Sequence, residues 1–238
     1  MRYLALATDY DGTLAHDGKV SDATWDAVRR LRDSGRKVIL VTGRELDDLE
    51  KTCPHLDRFD RVVAENGGLL YCPAERKQQA LAPPPPGKFV QALRDRGVGP
   101  IWVGRTIVAT LEPHETTVLK TIHDLGLELQ VIFNKGAVMV LPLGINKATG
   151  LAHALKGMRL SPHNVVGVGD AENDLAFLAL CECSVAVSNA LPGVKEHADL
   201  VTRGDHGKGV VELIDALLAN DLRDLEPRLT RLSPSPKC

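Results

Sequence analysis

Two aspartates lie one residue apart near the start of the chain, in Asp9-Tyr10-Asp11-Gly12-Thr13-Leu14. A carboxylate can attack phosphorus and carry the phosphoryl group as an acyl phosphate. A second carboxylate beside it can protonate the leaving oxygen and later activate water. Gly12 lets the chain turn sharply behind them. The bland alternative is a solvated turn, and Asp-x-Asp alone does not decide between the two. The apolar run before it and Gly-Thr-Leu after it favour chemistry. A second acidic group stands in Gly167-Val168-Gly169-Asp170-Ala171-Glu172-Asn173-Asp174. Asp170 and Asp174 are spaced to span one turn at the start of an expected helix, so both can face one pocket. Magnesium takes oxygen ligands, usually one or two carboxylates completed by phosphate and water. Asp170, with Asp9 and the backbone carbonyl of Asp11, suits that ion. Read structurally instead, Asp170 is an N-cap and Glu172 a first-turn acid.

Two further segments offer positive charge or N–H groups. Val41-Thr42-Gly43-Arg44 places a hydroxyl and backbone N–H groups at a strand-to-helix junction, which makes an anion site. Thr42 can equally be a plain helix cap. Arg44 can contact a substrate or pair with Asp47 or Asp48, and the sequence leaves that open. Lys147, in Gly144-Ile145-Asn146-Lys147, opens a helix and can offset the charge of nucleophile and phosphate, although a surface position is the commoner fate of a lysine. Other schemes fare poorly. There is no Gly-x-Ser-x-Gly and no His-x-x-x-His among the eight histidines. Gly167 and Gly169 lack the third glycine of a dinucleotide loop. Gly204-Asp-His-Gly-Lys208-Gly209 lacks phosphate-loop spacing and reads as a loop before the last helix.

The elements that must position these residues follow from periodicity. Residues 3–8, 37–41 and 61–64 are short apolar runs of buried-strand type, and they end at Asp9, at Thr42 and at Glu65-Asn66-Gly67. Between them Ser21 caps a helix with Trp25, Val28 and Leu31 on one face and Gly35 past its end. The segment ELDDLEKT reads as another helix. The same pattern resumes with a helix at about 147–157, strand 164–168, a helix at about 172–180, strands 184–187 and 199–202, and a helix at about 208–219. Strand–helix alternation predicts an α/β fold with a doubly wound, Rossmann-like parallel sheet. Ligands of such sheets bind at the carboxyl ends of strands, where Asp9, Thr42 and Glu65-Asn66 lie. The middle of the chain differs. Pro83 to Pro86 make a stiff connector. Helices at about 88–96 and 114–125 then alternate with extended segments 101–104, 106–111, 127–133 and 136–141, the last two joined by an Asn134-Lys135-Gly136 hairpin signal. The expected organisation is a core of residues 1–79 and 144–222, an inserted α+β domain at 80–143, and a proline-bearing tail or linker at 223–238.

Taken together, the four motifs resemble the haloacid dehalogenase superfamily. Asp9-to-Leu14 looks like its first motif, Thr42 matches the second, Lys147 the third, and Asp170 with Asp174 the fourth; order and separation fit residues 1–215. Glu65-Asn66-Gly67 and an insert between the second and third motifs resemble the type IIB cap subfamily, the Cof-like sugar phosphatases. The resemblance implies a magnesium-dependent phosphatase acting on a small phosphate ester, with a sugar phosphate the family-level expectation and phosphoglycolate left open. It implies Asp9 as nucleophile and metal ligand and Asp11 as acid/base within the metal site. Thr42, Gly43, Arg44, Lys147 and Asn173 would bind phosphate or substrate. Asp170 would bind the metal and Asp174 bind or orient it. A phosphomutase would use the same intermediate, and a binding module with a dead site is the rival from outside enzymology; the intact set of acids argues against the latter. Among insert residues Arg105, Thr106 and Lys135 could reach the site, and nothing ranks them.

Bulk composition sets the remaining limits. The 238 residues are 44% hydrophobic and 25% charged, ordinary for a globular protein. The net charge is -2, from 29 basic and 31 acidic residues, with no basic stripe for a nucleic-acid partner. The five cysteines include no Cys-x-x-Cys, so free thiols in a reducing cytoplasm are expected. No apolar stretch approaches the roughly 18 residues a membrane helix needs, and the N-terminal run is too short for a signal peptide.

Overall fold

A computed structural model of the chain describes residues 1–223; apart from Arg223, the tail expected at 223–238 lies outside the described residues. The first half supplies β1 (Ala5–Thr8), α1 (Asp22–Asp33), β2 (Lys37–Val41), α2 (Leu46–Thr52), β3 (Arg61–Ala64), β4 (Leu69–Cys72) and β5 (Lys77–Ala80). The middle gives α3 (Gly87–Asp95), β6 (Trp102–Val103), β7 (Val108–Leu111), α4 (Glu115–Asp124), β8 (Leu129–Asn134) and β9 (Ala137–Pro142). The last third gives α5 (Lys147–Met158), β10 (Val165–Gly169), α6 (Leu175–Leu180), β11 (Cys183–Ala186), α7 (Pro192–His197), β12 (Leu200–Val201) and α8 (His206–Asn220). Among the described residues no helix is long and apolar enough to cross a membrane.

The core is one eight-stranded sheet in the order β12-β11-β10-β1-β2-β3-β4-β5. Neighbours from β12 through β3 pair in parallel. β1, β2 and β10 are almost wholly buried, as their continuous apolar runs require for strands covered on both faces. Strand order runs outward from β1 in both directions, so β1 sits at the switch point where such sheets open a crevice. α1 is capped by the Ser21 side chain and buries Trp25, Val28 and Leu31, packing beside α8. Cys53, Cys72, Cys181 and Cys183 are buried and stand outside any disulfide among the described residues.

Four elements depart from the sequence reading. β4 and β5 extend the sheet antiparallel, and no periodic signal foretold them. β5 is the wholly exposed KQQA, an edge strand whose polar residues show no alternation. α7 is a short six-residue helix entered through Pro192. The helix expected from about 172 begins instead as a 3-10 turn, Glu172–Asp174, before α6. The reason is local: the Asp174 carboxylate bonds back to the N–H groups of Asp170 and Ala171 at 2.8 and 3.0 Å, which tightens the turn.

The middle segment folds as a second, antiparallel sheet, β6-β7-β9-β8. The alternation along β9 decides how it sits. Val138 and Val140 face a core built with Phe89 and Leu93 of α3 and Val118 and Ile122 of α4. Met139 and Leu141 point the other way and cluster with Ile107. Both faces of the sheet are therefore covered, one by its own helices and one toward the larger domain.

α5 approaches that junction closely. A methyl group on Gly150 would stand 2.5 Å from Val63 Cγ1 and 2.6 Å from Gly67 Cα. Alanine is the better helix former by about 1 kcal/mol, but forcing a methyl into filled space costs roughly 1–3 kcal/mol. Because the Gly67 neighbour is backbone and cannot swing away, packing outweighs propensity. Gly150→Ala is expected to destabilise the protein by about 1–2 kcal/mol, read as a lower urea midpoint; a midpoint at or above wild type refutes the close packing.

Candidate active site at the carboxyl ends of the central strands

Asp9 is the first residue past β1, and its N–H donates to the Val168 carbonyl at 3.0 Å. The chain then folds on itself. The Tyr10 carbonyl accepts from Ala15 N–H, and Gly12 N–H donates back to Ala15. Gly12 adopts φ +88°, and a Cβ there would collide with the Asp170 carboxylate. Only glycine both reaches that backbone conformation and leaves the space. Thr13 follows, buried, and its hydroxyl donates to Asp170 Oδ1 at 3.1 Å.

Asp170 is the first residue past β10, beside Asp9, and Asp174 returns from the 3-10 turn to complete the group. Carboxylate oxygens of Asp9, Asp170 and Asp174 lie within 4.8 Å of one another, all three residues buried. Lys147, the first residue of α5, is 1% exposed. Its ammonium donates to Asp9 Oδ1 at 2.6 Å and to Asp174 Oδ1 at 2.5 Å. The helix start is fixed by a capping box in which Asn146 and Thr149 bond each other's backbone. A second ammonium arrives from the insert: Lys135 Nζ lies 2.5 Å from Asp170 Oδ2.

Charge accounting explains the electrostatics. Burial pushes the Asp9 carboxyl up to about 8, helped by the negative Asp174 and Asp170 and opposed by Lys147. Burial also raises Asp170, against the Lys135 bond. For Lys147 burial favours the neutral form, but the carboxylates of Asp174 and Asp9 outweigh it and hold the ammonium above its ordinary value. Three clustered acids with hard oxygen donors, which outnumber the two ammonium groups beside them, suit a divalent cation. Asp9 has Oδ2 to offer such an ion, whereas Asp170 is bonded by Thr13 at Oδ1 and by Lys135 at Oδ2, so an ion there would compete with Lys135. Asp174 spends one oxygen on two N–H groups and the other on Lys147, which makes it an orienting group as much as a ligand.

Asp11 turns away from that trio. Arg44 grips it bidentately, Nε to Oδ2 at 2.6 Å and Nη2 to Oδ1 at 2.7 Å. Arg44 also reaches Asp48 at 2.6 Å. The open choice over Arg44 thus falls to Asp11 and Asp48, while Asp47 pairs with Arg105. The bond to Asp11 is the main cause that raises Arg44 beyond its usual range. Thr42 is buried, and its hydroxyl accepts from Arg44 N–H at 3.1 Å. Asn173 donates to Asn66 Oδ1 at 3.1 Å, leaving Asn173 Oδ1 and Asn66 Nδ2 buried without a partner among the described residues. These residues surround a cavity of about 340 Å³. Asp9, Asp11, Thr42, Gly43, Arg44 and Asn173 line its core side, and Trp102, Ile107, Ala109, Ala137 and Met139 line the insert side.

Two participants were legible in the sequence by position but not by partner. Glu65 is wholly buried with φ 51°, followed by Asn66 at 52°. Its carboxylate accepts from Arg105 N–H at 3.0 Å, Thr106 N–H at 2.6 Å and the Thr106 hydroxyl at 2.8 Å. Core and insert are clasped there. Asn-Gly after a strand hints at left-handed backbone, but no spacing rule joins Glu65 to residues forty positions on. Thr13 was legible as part of the first motif, though not as a partner of Asp170.

A family model described as haloacid dehalogenase-like hydrolase matches the chain in two overlapping stretches, residues 6–123 and 108–214. The chain belongs to this family. Among haloacid dehalogenase-like relatives, a phosphoglycolate phosphatase of Methanothermobacter thermautotrophicus is 32% identical over 225 residues, covering 88% of this chain and 96% of its own. Two solved structures share the fold. A haloacid dehalogenase-like hydrolase from Bacteroides thetaiotaomicron superposes with TM-score 0.78 at 18% identity, over 90% of this chain and 99% of its own. A Thermoplasma acidophilum protein gives TM-score 0.79 at 17% identity, over 92% and 99%.

The raised Asp9 carboxyl has a consequence for the metal-free hydrolase. Its ordinary value is 3.8 and its folded value about 8, so the folded chain holds a proton that the unfolded chain releases. The stability this provides is complete below about pH 4 and lost by about pH 8. In EDTA the urea midpoint should therefore fall between about pH 5 and pH 8. Asp9→Asn should flatten the profile, and excess divalent cation should restore stability at the alkaline end. A wild-type profile as flat as that of Asp9→Asn refutes the charge assignment.

Proposed function

We propose that the protein is a magnesium-dependent phosphatase that hydrolyses a small phosphate monoester through an aspartyl-phosphate on Asp9. The observation that carries this reading is the convergence of Asp9, Asp170, Asp174 and Lys147 at the switch point of the sheet, with Asp9 on the wall of the cavity. Lys147 occupies Asp9 Oδ1, so Oδ2 is the oxygen for in-line attack on phosphorus. The bond from phosphorus to the ester oxygen breaks as the new one forms, and Asp11 gives its proton to the departing oxygen. Asp11 then takes a proton from water, whose oxygen attacks phosphorus and releases phosphate with Asp9 restored. For Asp11 to act, one arm of the Arg44 fork must open, because both carboxylate oxygens are held. Thr42, the backbone N–H of Gly43 and the amide group of Asn173, whose second N–H is not used by Asn66, lie where a phosphoryl group would be received. Lys147 offsets the charge that builds on the transferring group.

Asp9, Asp170 and Asp174, with the Asp11 carbonyl, are the residues that would hold magnesium. Once bound, the ion supplies the positive charge that lets two anions approach each other. The apolar insert wall of Trp102, Ile107 and Met139 keeps bulk water away during transfer. A cavity of about 340 Å³ favours a small substrate. Phosphoglycolate is the first candidate, because relatives covered over most of their length carry that activity in their names.

Asp9→Asn is expected to lower phosphate release by about 10⁴-fold or more with unchanged circular dichroism. Near-wild-type turnover of phosphoglycolate or para-nitrophenyl phosphate by this variant overturns the nucleophile assignment. EDTA should abolish phosphate release by the wild type and added magnesium should recover it; activity that survives exhaustive chelation rules out the metal.

A further inference from the structure

We infer that Lys135 selects the substrate by receiving a carboxylate carried one or two carbons from the phosphate, an inference that rests on the phosphatase reading above. The structure ranks the insert residues that the sequence left level. The Arg105 guanidinium is spent on Asp47 at 2.9 Å. The N–H groups of Arg105 and Thr106 and the Thr106 hydroxyl are spent on Glu65. Lys135 alone of the three sends its side chain to the acids. It occupies the two-residue turn between β8 and β9, with φ 48° followed by Gly136 at 84°. Both positions take the left-handed backbone that a tight hairpin needs, and Asn134 and Ala137 pair on either side. The turn is held firmly, while the side chain it projects is 46% exposed. Gly12 makes room for it: a Cβ there would lie 2.7 Å from the ammonium.

Competing cations are already committed. Lys147 is shut between Asp9 and Asp174, and Arg44 is held by Asp11 and Asp48. Lys135 has one acid partner among the described residues, Asp170. A divalent ion bound at Asp170 takes over that carboxylate's charge. The ammonium, on its flexible stem, then needs another anion, and a charge-assisted bond to a substrate carboxylate supplies it. Reach limits the substrate. The ammonium already lies against the acid cluster, so the group it meets must sit close to the phosphorus, with no sugar ring between. Lys135 adjoins the cavity through its neighbour Asn134, and the insert wall itself, Trp102, Ile107, Ala109, Asn134, Ala137 and Met139, offers no cation. Glu45 on the core side repels a carboxylate, while Asp48 is already paired with Arg44.

The test compares phosphoglycolate with 2-hydroxyethyl phosphate, an ester of matching size without the carboxylate, on wild type, Lys135→Met and Lys135→Arg with magnesium present. Wild type should prefer phosphoglycolate. Lys135→Met should lower the ratio of the two kcat/KM values by about 10- to 100-fold, the range set by loss of a charge-assisted hydrogen bond. Lys135→Arg should recover most of that ratio. In the inert Asp9→Asn background, calorimetry should show phosphoglycolate binding weakened by the same factor when Lys135→Met is added. Equal losses on both esters overturn the inference, as does a wild type that treats them alike. Either result leaves the phosphatase reading standing; that reading fails separately if wild type releases phosphate from neither ester nor from para-nitrophenyl phosphate.

Discussion

Everything at the site depends on one buried ammonium held between two carboxylates. Lys147 is 1% exposed and bonds Asp9 and Asp174 at once. Burying a charge costs several kcal/mol unless it is paired and its hydrogen-bonding groups are met. Here the pairing is mutual. Without Lys147 the two acids would repel each other in a poorly solvated space; without them the ammonium would be driven to its neutral form. Asp170 is buried alongside and paired with Lys135, so when Asp9 is ionised the three acids exceed the two ammonium groups by one charge. That surplus is a standing attraction for a cation, and it explains how a chain with net charge -2 can serve an anionic substrate.

The fold delivers these groups from distant parts of the chain through a single device. β1 lies between β2 and β10 with both neighbours parallel, so the three strand ends are level. Asp9 and Asp170 come straight from those ends, and Thr42 follows β2. Lys147 cannot come from a strand; it comes from α5, whose first turn is fixed against the segment after β3. The contact of Gly150 with Val63 and Gly67 sets how deep the ammonium reaches. Backbone packing without side chains is thus part of the electrostatics.

Most of the core was legible in the sequence because parallel buried strands and amphipathic helices each leave a strong periodic trace. β1, β2, β3 and β10 ended where their apolar runs ended, and Ser21 capped α1 as its type suggests. β4 and β5 were not legible: four-residue strands, one half-buried and one fully exposed, show no alternation to read. The acids and Lys147 could be named because each follows a strand or opens a helix. Their partners could not. The grip of Arg44 on Asp11, the bond from Thr13 to Asp170 and the return of Asp174 to two backbone N–H groups are matters of angle and reach, which spacing along the chain does not encode.

The Glu65 clasp bears on how proteins of this shape can change their diet. Its three bonds from the insert go to two main-chain N–H groups and one hydroxyl. A main-chain donor is supplied by any amino acid except proline. The side chain at position 105 is therefore not part of the clasp, and the wall positions that never touch Glu65 lie outside it too. Mechanical coupling and chemical selectivity are written in separate residues, which lets selection revise the menu without dismantling the hinge.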